Sequence, residues 1–316
     1  MREWVVESAD AGTRLDKWLA DRTDARSRRQ ATEWLARGKV FVDGRPVDTA
    51  QGAERVETGQ RVGVWIDRPG SSKPADRSVR DVRHLLHVIH EDAFIVVLDK
   101  PAGLLVEPLP GRRGEEPTLV HLLADYYRHA PRARSYVVHR IDRDTSGLVL
   151  FARTPSARDA LKSQFEKHTA QRDYLAVVLG RPTPASGTWH DRLAWDPSSL
   201  RQRRAHGRDA RAKDAEARYR VTESFADAAL IEVSLVTGKR NQIRVQTAMR
   251  GHPLLGERQY RFNAPPEPAT LPRITRQALH AWKLGFIHPA TNHRVTYTSP
   301  LPEDLTALVA ALRRRG

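Results

Sequence analysis

Cysteine is absent from the 316 residues, which excludes disulfides, thiolate nucleophiles and any zinc site built on thiolates. Disulfide-free chains suit a reducing compartment, so the cytoplasm is the expected location. No apolar run is long enough to span a bilayer, and no strongly apolar helix is flanked by lysines, so no membrane anchor is predicted. The opening Met1-Arg2-Glu3-Trp4 lacks the apolar core of a signal peptide. There is no glycine-rich phosphate cradle, no dinucleotide fingerprint and no internal repeat. His280 and His288 have no carboxylate or cysteine partners at ligand spacing, so no metal is expected.

Acidic residues are also in short supply. Lysine and arginine number 53 against 38 aspartates and glutamates, a formal charge of +15. Such an excess predicts a polyanionic partner, because summed surface charge governs steering and nonspecific association. Nucleic acid is the leading candidate and an anionic membrane surface the competitor. The length allows one large domain beside a small one.

Residues 1–66 read as a small separate module. Leu15, Trp18 and Leu19 follow helical spacing, as do Ala31, Trp34 and Leu35, and Ser27 is placed to cap the second helix. Val40-Phe41-Val42, Asp43-Gly44 and Arg45-Pro46-Val47 read as a hairpin, with Val62 to Ile66 as a closing strand. Arg26, Arg28, Arg29, Arg37 and Lys39 flank the second helix and its exit, which suits phosphate contacts that position an RNA without reading its bases. The alternative is that these cations only solubilise the module. Residues 67–83, rich in Pro, Gly, Ser and charge, read as a linker, which leaves 84–316 as a second domain.

In that second domain, Leu85 to Ile89 and Phe94 to Leu98 read as strands. Thr118 to His129 reads as a helix, 156–167 as another, and Gln171 to Gly180 as a buried strand. Arg201 to Lys213, basic and without a period, reads as an exposed loop. Two strands follow, Ala215 to Thr222 and Ala229 to Val236, then a final strand pair within 277–298 and a helix from Leu305 to Leu312. Lys100 reads equally as a residue of a cleft or as an ordinary charge at a strand end.

The densest chemistry lies in His139-Arg140-Ile141-Asp142-Arg143-Asp144-Thr145-Ser146-Gly147, between the apolar runs Tyr136-Val137-Val138 and Leu148-Val149-Leu150-Phe151. Two carboxylates and two guanidiniums in one polar loop could be a salt-bridged hairpin and nothing more. The nine residues resemble the HRLDxxTSG signature of the RluA family of RNA pseudouridine synthases, with Ile141 in place of Leu. Thr237-Gly238-Lys239-Arg240-Asn241-Gln242-Ile243-Arg244-Val245-Gln246 is similar to the family's TGRTHQIRVH segment. There Lys239, Arg240, Asn241 and Gln246 replace Arg, Thr, His and His. Arg14 to Leu19 and the order of elements around it resemble the S-four type RNA-binding domain.

The resemblance implies an α+β fold on a mixed, largely antiparallel sheet with a central cleft, plus a small N-terminal α/β RNA-binding domain. It implies Asp142 as the catalytic carboxylate, Arg244 as its cationic partner, Arg140 as the residue that takes the place of a flipped base, and Tyr174 as a wall of the uridine pocket. The implied reaction breaks the bond between ribose and uracil, turns the base and rejoins it through carbon. Nothing is oxidised, so no cofactor is expected. The implied partner is RNA, with ribosomal RNA favoured and transfer RNA the rival, acted on by a monomer. A catalytically silent RNA-binding or ribosome-assembly protein with the same fold is the other reading.

Deleting residues 1–70 is expected to weaken RNA affinity and to flatten its salt dependence, since phosphate contacts release counterions. Titrating one RNA over a range of salt concentrations checks this, and an unchanged slope would remove the RNA-binding role of the module.

Overall fold

The computed structural model describes residues 1–25, 27–49, 51–66, 86–108, 117–127, 134–199, 201–205, 209–262 and 264–315. Contacts divide the chain into two units, Met1–Arg80 and Asp81–Gly316. The expected linker at 67–83 and the candidate Arg26 lie outside the described residues.

The first unit opens with strand β1 (Arg2–Val5), followed by helices α1 (Leu15–Arg22) and α2 (Arg28–Ala36). Leu15, Trp18 and Leu19 are buried on α1, and Ala31, Trp34 and Leu35 on α2, the stripes that their spacing sets. Ser27 Oγ accepts from the Gln30 amide at 3.2 Å and so starts α2. Strands β2 (Val40–Val42) and β3 (Arg45–Val47) form the hairpin, with Asp43 at φ 49 and Gly44 at φ 77, as a two-residue primed turn requires. Strand β4 (Arg61–Val64) pairs with β2 and, on its other side, with β1, giving the order β1-β4-β2-β3. The sequence reading missed β1. Its side chains are mostly exposed and its place comes from backbone pairing, so no alternation marks it.

The second unit begins with β5 (His87–Glu91), β6 (Ile95–Lys100), α3 (Leu119–Tyr126), β7 (Tyr136–Val137) and β8 (Ser146–Ala152). Helix α4 (Pro155–Glu166) leads to β9 (Gln171–Leu179), β10 (Ser186–Asp196), β11 (Arg201–Arg204), β12 (Lys213–Ser224) and β13 (Ala228–Leu235). Helix α5 (Gln242–Met249), β14 (Leu279–Ile287), β15 (Arg294–Thr298) and α6 (Glu303–Arg313) complete it. One sheet runs β11-β10-β12-β13-β9-β14-β8-β6-β5, with β15 on β14 and β7 on β8. The β14–β8 pair is parallel, with His280 against Ser146 and Ala281 against Gly147, while the other pairs are antiparallel. The expected mixed, largely antiparallel sheet is therefore present.

The central strands read as unbroken apolar runs because both faces are covered. Val96, Leu98, Val149 and Phe151 join α3 and Ile243 of α5 in one cluster, whereas Ile95, Val97, Leu148 and Leu150 pack with Leu161 of α4 and Phe286 in another. Helix α6 closes the latter side further along, placing Leu305, Leu308 and Leu312 against Val177 and Leu179 of β9.

One expectation fails here. The segment Arg201 to Lys213 is not a loop throughout, since Arg201–Arg204 forms β11 against Leu193–Asp196 of β10. Its single inward side chain is Gln202, buried between exposed or half-buried arginines, and the Tyr260 hydroxyl accepts from the Gln202 amide at 3.0 Å. A strand whose buried residue is polar carries no hydrophobic alternation. Strand β10 was also missed, and residues 206–208 lie outside the described set.

Gly147 sits at φ 111, and a Cβ there would run into the Ala281 backbone at the parallel junction. Gly147→Ala meets both a forbidden backbone region and a backbone collision, so it is expected to destabilise the second unit by about 2–4 kcal/mol. Chemical denaturation of the two proteins checks this, and a loss within about 0.5 kcal/mol would contradict the packing described.

Candidate active site

Asp142 lies in the loop between β7 and β8, and that loop is held by its own carbonyls. The Lys100 ammonium, wholly buried at the end of β6, donates to the carbonyl oxygens of Pro101, Leu104 and Arg143, each at 2.8 Å. The Gly103 amide also donates to the Arg143 carbonyl, at 2.9 Å. Arg276 donates through NH1 to the Asp144 carbonyl at 3.1 Å while its Nε and NH2 engage Asp304 at 2.6 and 2.9 Å. Two cations from distant parts of the chain thus fix the backbone just after Asp142. Burial pushes the Lys100 ammonium down to about 7, against the opposing pull of Asp144 and Asp142. Neither sequence reading of Lys100 describes it fully, because it is a buried clamp on the loop.

The second support for Asp142 comes from α5. Arg244 is 9% exposed and directs Nε and NH2 to the Glu257 carboxylate at 2.7 and 2.9 Å. NH1 is left for Asp142 Oδ2, at 3.3 Å. Burial opposes charge on both Arg244 and Glu257, but their pairing outweighs it, raising the pKa of the guanidinium and lowering that of the carboxyl. Asn241, the left-handed residue that starts α5 at φ 53, donates Nδ2 to the same Oδ2 at 2.9 Å. Its own Oδ1 accepts from the Tyr260 hydroxyl at 3.4 Å. Both hydrogen bonds fall on Oδ2, so Oδ1 of Asp142 has no partner among the described residues.

The departures from the family segment acquire definite places. Gln246, fully buried, donates to Asp191 Oδ2 at 2.8 Å and to the Ala215 carbonyl at 3.1 Å, and its own oxygen accepts from Gln242. Gln242 in turn accepts from the Thr237 hydroxyl at 2.8 Å and the Lys239 amide at 2.9 Å, tightening the turn into α5. The Arg240 guanidinium lies over the Trp195 ring, 4.0 Å from its centroid.

Tyr174, the fourth residue of β9, is buried, and burial raises its hydroxyl pKa to about 12, so the group stays protonated. His139 stacks on Phe165 with ring centroids 4.6 Å apart and accepts the Leu150 amide on Nε2 at 3.1 Å. Arg140 is half-exposed and pairs with Glu107 at 2.8 Å. Asp142, Arg140, Tyr174 and Arg244 all line one cleft of about 670 Å³, together with His139, Phe165, Arg172 and residues 238–243. The rival carboxylate Asp144 is not part of its wall. Sequence reasoning missed Glu257, Tyr260 and Arg172 as parts of this site. A buried Glu 13 residues from Arg244 carries no local signal.

The candidate RNA contacts of the first unit divide. Arg28 pairs with Asp16 at 3.0 Å, Arg37 with Glu33, and Lys39 donates to the Ile66 carbonyl. Arg29 is exposed on α2 and makes no hydrogen bond or ion pair with a described residue.

The sequence model of the RNA pseudouridylate synthase family matches residues 94–249, and that of the S4 domain matches residues 13–62. A ribosomal large subunit pseudouridine synthase D from Xanthomonas campestris is 37% identical over 99% of this chain and 93% of its own length. The chain belongs to the RNA pseudouridine synthase family. A synthase D from Escherichia coli is 31% identical over 98% of the chain and 93% of its own length. The human RNA pseudouridylate synthase domain containing 4 protein shares the fold, with a TM-score of 0.60 at 22% identity over 72% of this chain and 93% of that one. The resemblances of residues 139–147 and of Arg14 to Leu19 are thereby borne out. The synthase is an isomerase that converts uridine to pseudouridine. No helix among its described residues is long and apolar enough to cross a membrane.

The buried ring of His139 makes a pH dependence. Burial first, and the Arg172 charge second, lower its pKa from 6.5 to about 3. Between those values the unfolded synthase binds a proton that the folded one does not, so stability falls as pH drops through the window. This ring contributes up to about 1.4 kcal/mol per pH unit. In His139→Asn that part of the slope should vanish, as read by urea unfolding at several pH values from about 6.5 down to 4. Equal slopes in the two proteins would show that His139 is not held neutral.

Proposed function

We propose that the protein is an RNA pseudouridine synthase that isomerises a uridine of ribosomal RNA, with Asp142 as the catalytic carboxylate. The observation that carries the residue assignment is the asymmetry at Asp142. Oδ2 is engaged by Arg244 and Asn241, while Oδ1 has no partner among the described residues in a cleft that also holds Tyr174 and Arg140. A carboxylate held by one oxygen keeps its orientation and offers the other to the sugar, either to attack the anomeric carbon or to take a sugar proton. Ribosomal RNA is favoured because relatives matched over nearly the whole chain are named as synthases of the ribosomal large subunit. Transfer RNA is the rival substrate, and the cytoplasm is the site of action that fits either.

A uridine inside folded RNA has to be turned out before a carboxylate set in a cleft can reach its sugar, at a cost of a few kcal/mol. Arg140 is suited to take the vacated place. Its half-exposed pair with Glu107 is of a kind worth roughly 0–1 kcal/mol, so exchanging Glu107 for stacked bases and phosphate costs little. Tyr174 offers the extruded uracil an aromatic face, and its protonated hydroxyl can donate near the carbon that becomes bonded. The first unit, through cations such as Arg29, would bind phosphates around the target.

Asp142→Asn tests the assignment. Arg244 keeps its bidentate Glu257 partner in this variant, so no buried charge is orphaned and the fold should hold. Uridine isomerisation, measured by tritium release from uracil-labelled RNA, should fall to background while RNA binding persists. Asp144→Asn should be far milder, because that side chain is not in the cleft wall. Turnover by Asp142→Asn at the wild-type rate would sink the catalytic role. A wild type that modifies no cellular RNA would leave an RNA-binding protein with the fold of an enzyme.

A further inference from the structure

Arg172 is a buried cation without a counter-ion. It stands two residues before Tyr174 on β9, is 9% exposed, and lines the same cleft. Among the described residues it forms no ion pair, and the ionisable groups whose titration it influences, Tyr174 and His139, are both neutral. NH2 donates to the Val236 carbonyl at 3.0 Å, and the guanidinium lies over Phe165, 5.5 Å from the ring centroid. Nε is enclosed with no acceptor, and NH1 makes no hydrogen bond to a described residue. Gly238 permits this placement, because a Cβ there would collide with NH1. An unpaired buried charge is destabilising, and an arginine cannot escape that cost by losing its proton. The cleft therefore keeps a cation whose anion is not resident.

The order of groups along the cleft indicates which anion. Arg172 and Tyr174 lie two residues apart on β9, and both line the cleft with Asp142. Residues two apart on one strand face lie about 7 Å from each other. A uracil seated on Tyr174, with its sugar at Asp142, would point its far carbonyl edge toward Arg172. A backbone phosphate is a poorer fit, since it is charged and solvated throughout and finds more accessible cations on the cleft wall in half-buried Lys239 and exposed Arg240. The uracil itself is neutral in the substrate and becomes an anion only as the reaction proceeds.

On the functional reading above, the C1′–N1 bond breaks and its electron pair goes to the ring. Asp142 either forms an ester at C1′ or takes the proton from C2′, leaving a C1′–C2′ double bond. In both cases the carboxylate charge passes to a detached uracil monoanion. The ring then turns and C5 bonds to C1′, either displacing the Asp142 carboxylate from its ester or adding across the C1′–C2′ double bond as C2′ regains its proton from Asp142; the proton on C5 leaves while a nitrogen regains one, so atoms and electrons balance without a further reactant. We propose that Arg172 is the counter-ion of this detached uracil, donating through NH1 to a ring carbonyl and holding the base in the cleft while it turns. A cation placed for a charge that exists only after bond breaking favours the transition state over the bound substrate.

The test uses the full-length protein and a transcript that the wild type modifies, with Arg172→Gln and Arg172→Lys compared in single turnovers at saturating enzyme. Arg172→Gln should slow the reaction by about 100-fold or more, while the RNA Kd stays within about twofold and its salt slope is unchanged. Arg172→Lys should recover part of the rate. On a transcript with 5-fluorouridine at the target, whose detached base is the weaker base, the deficit of either variant, read as loss of the substrate nucleoside, should shrink. A structural lesion would slow both transcripts alike, and that result overturns the proposal, as does a wild-type rate in Arg172→Gln. A loss confined to Kd with a reduced salt slope would make Arg172 a phosphate contact and also overturn it. Should Arg172→Gln fail to fold, Arg172→Lys on the two transcripts decides. If the wild type is inactive on every RNA, the functional reading itself has failed, and an active wild type with an unaffected variant removes only the role of Arg172.

Discussion

The buried guanidinium of Arg244 is the interaction on which the site depends. It cannot shed its charge, and Glu257 takes two of its donors in a fixed fork, so its third donating nitrogen has one remaining direction. That direction is Asp142. Glu257 in turn accepts from the amides of Gln259 and Tyr260, which ties the pair to backbone beyond α5. Removing Glu257 would leave a buried cation facing one carboxylate, and the geometry at Asp142 would go with it.

The same device recurs with different partners. Lys100 and Arg276 make no hydrogen bond to a carboxylate of the loop between β7 and β8 and instead hold backbone oxygens at residues 143 and 144. A loop held by its carbonyls keeps its side chains available. Asp142 Oδ1 accordingly stands without a partner among the described residues.

The segments that were legible in the sequence carried their signal locally. The stripes of α1 and α2, the Asp43-Gly44 turn, the apolar runs of β6 and β8 and the polar loop between β7 and β8 each follow from neighbouring residues. Strands β1, β10 and β11 did not: β1 pairs with the distant β4, and none of the three buries an alternating apolar face. For the site, Asp142, Arg140, Tyr174 and Arg244 were legible through resemblance to a known motif, and their convergence on one cleft required the fold. Glu257 and Tyr260 were invisible, since their role arises from the tertiary packing around α5. Asn241 stands where the family segment has His. Its amide donates to Asp142, and its αL backbone, which Asn tolerates well, begins α5.

The single parallel pair, β8 with β14, has a consequence for when the site comes into being. Strands side by side and parallel need a long connection, and here it spans everything from α4 to α5. The contacts that shape the cleft are correspondingly distant in the chain: Asp142 to Arg244, Asp144 to Arg276, Ser146 to His280. Loop-closure entropy makes such contacts slow to form, so the hairpin of β5 and β6 can fold early, while the loop that carries Asp142 acquires its shape only when the last quarter of the chain docks. During synthesis the N-terminal unit emerges first, so its own small sheet and helix pair can be complete well before the cleft exists.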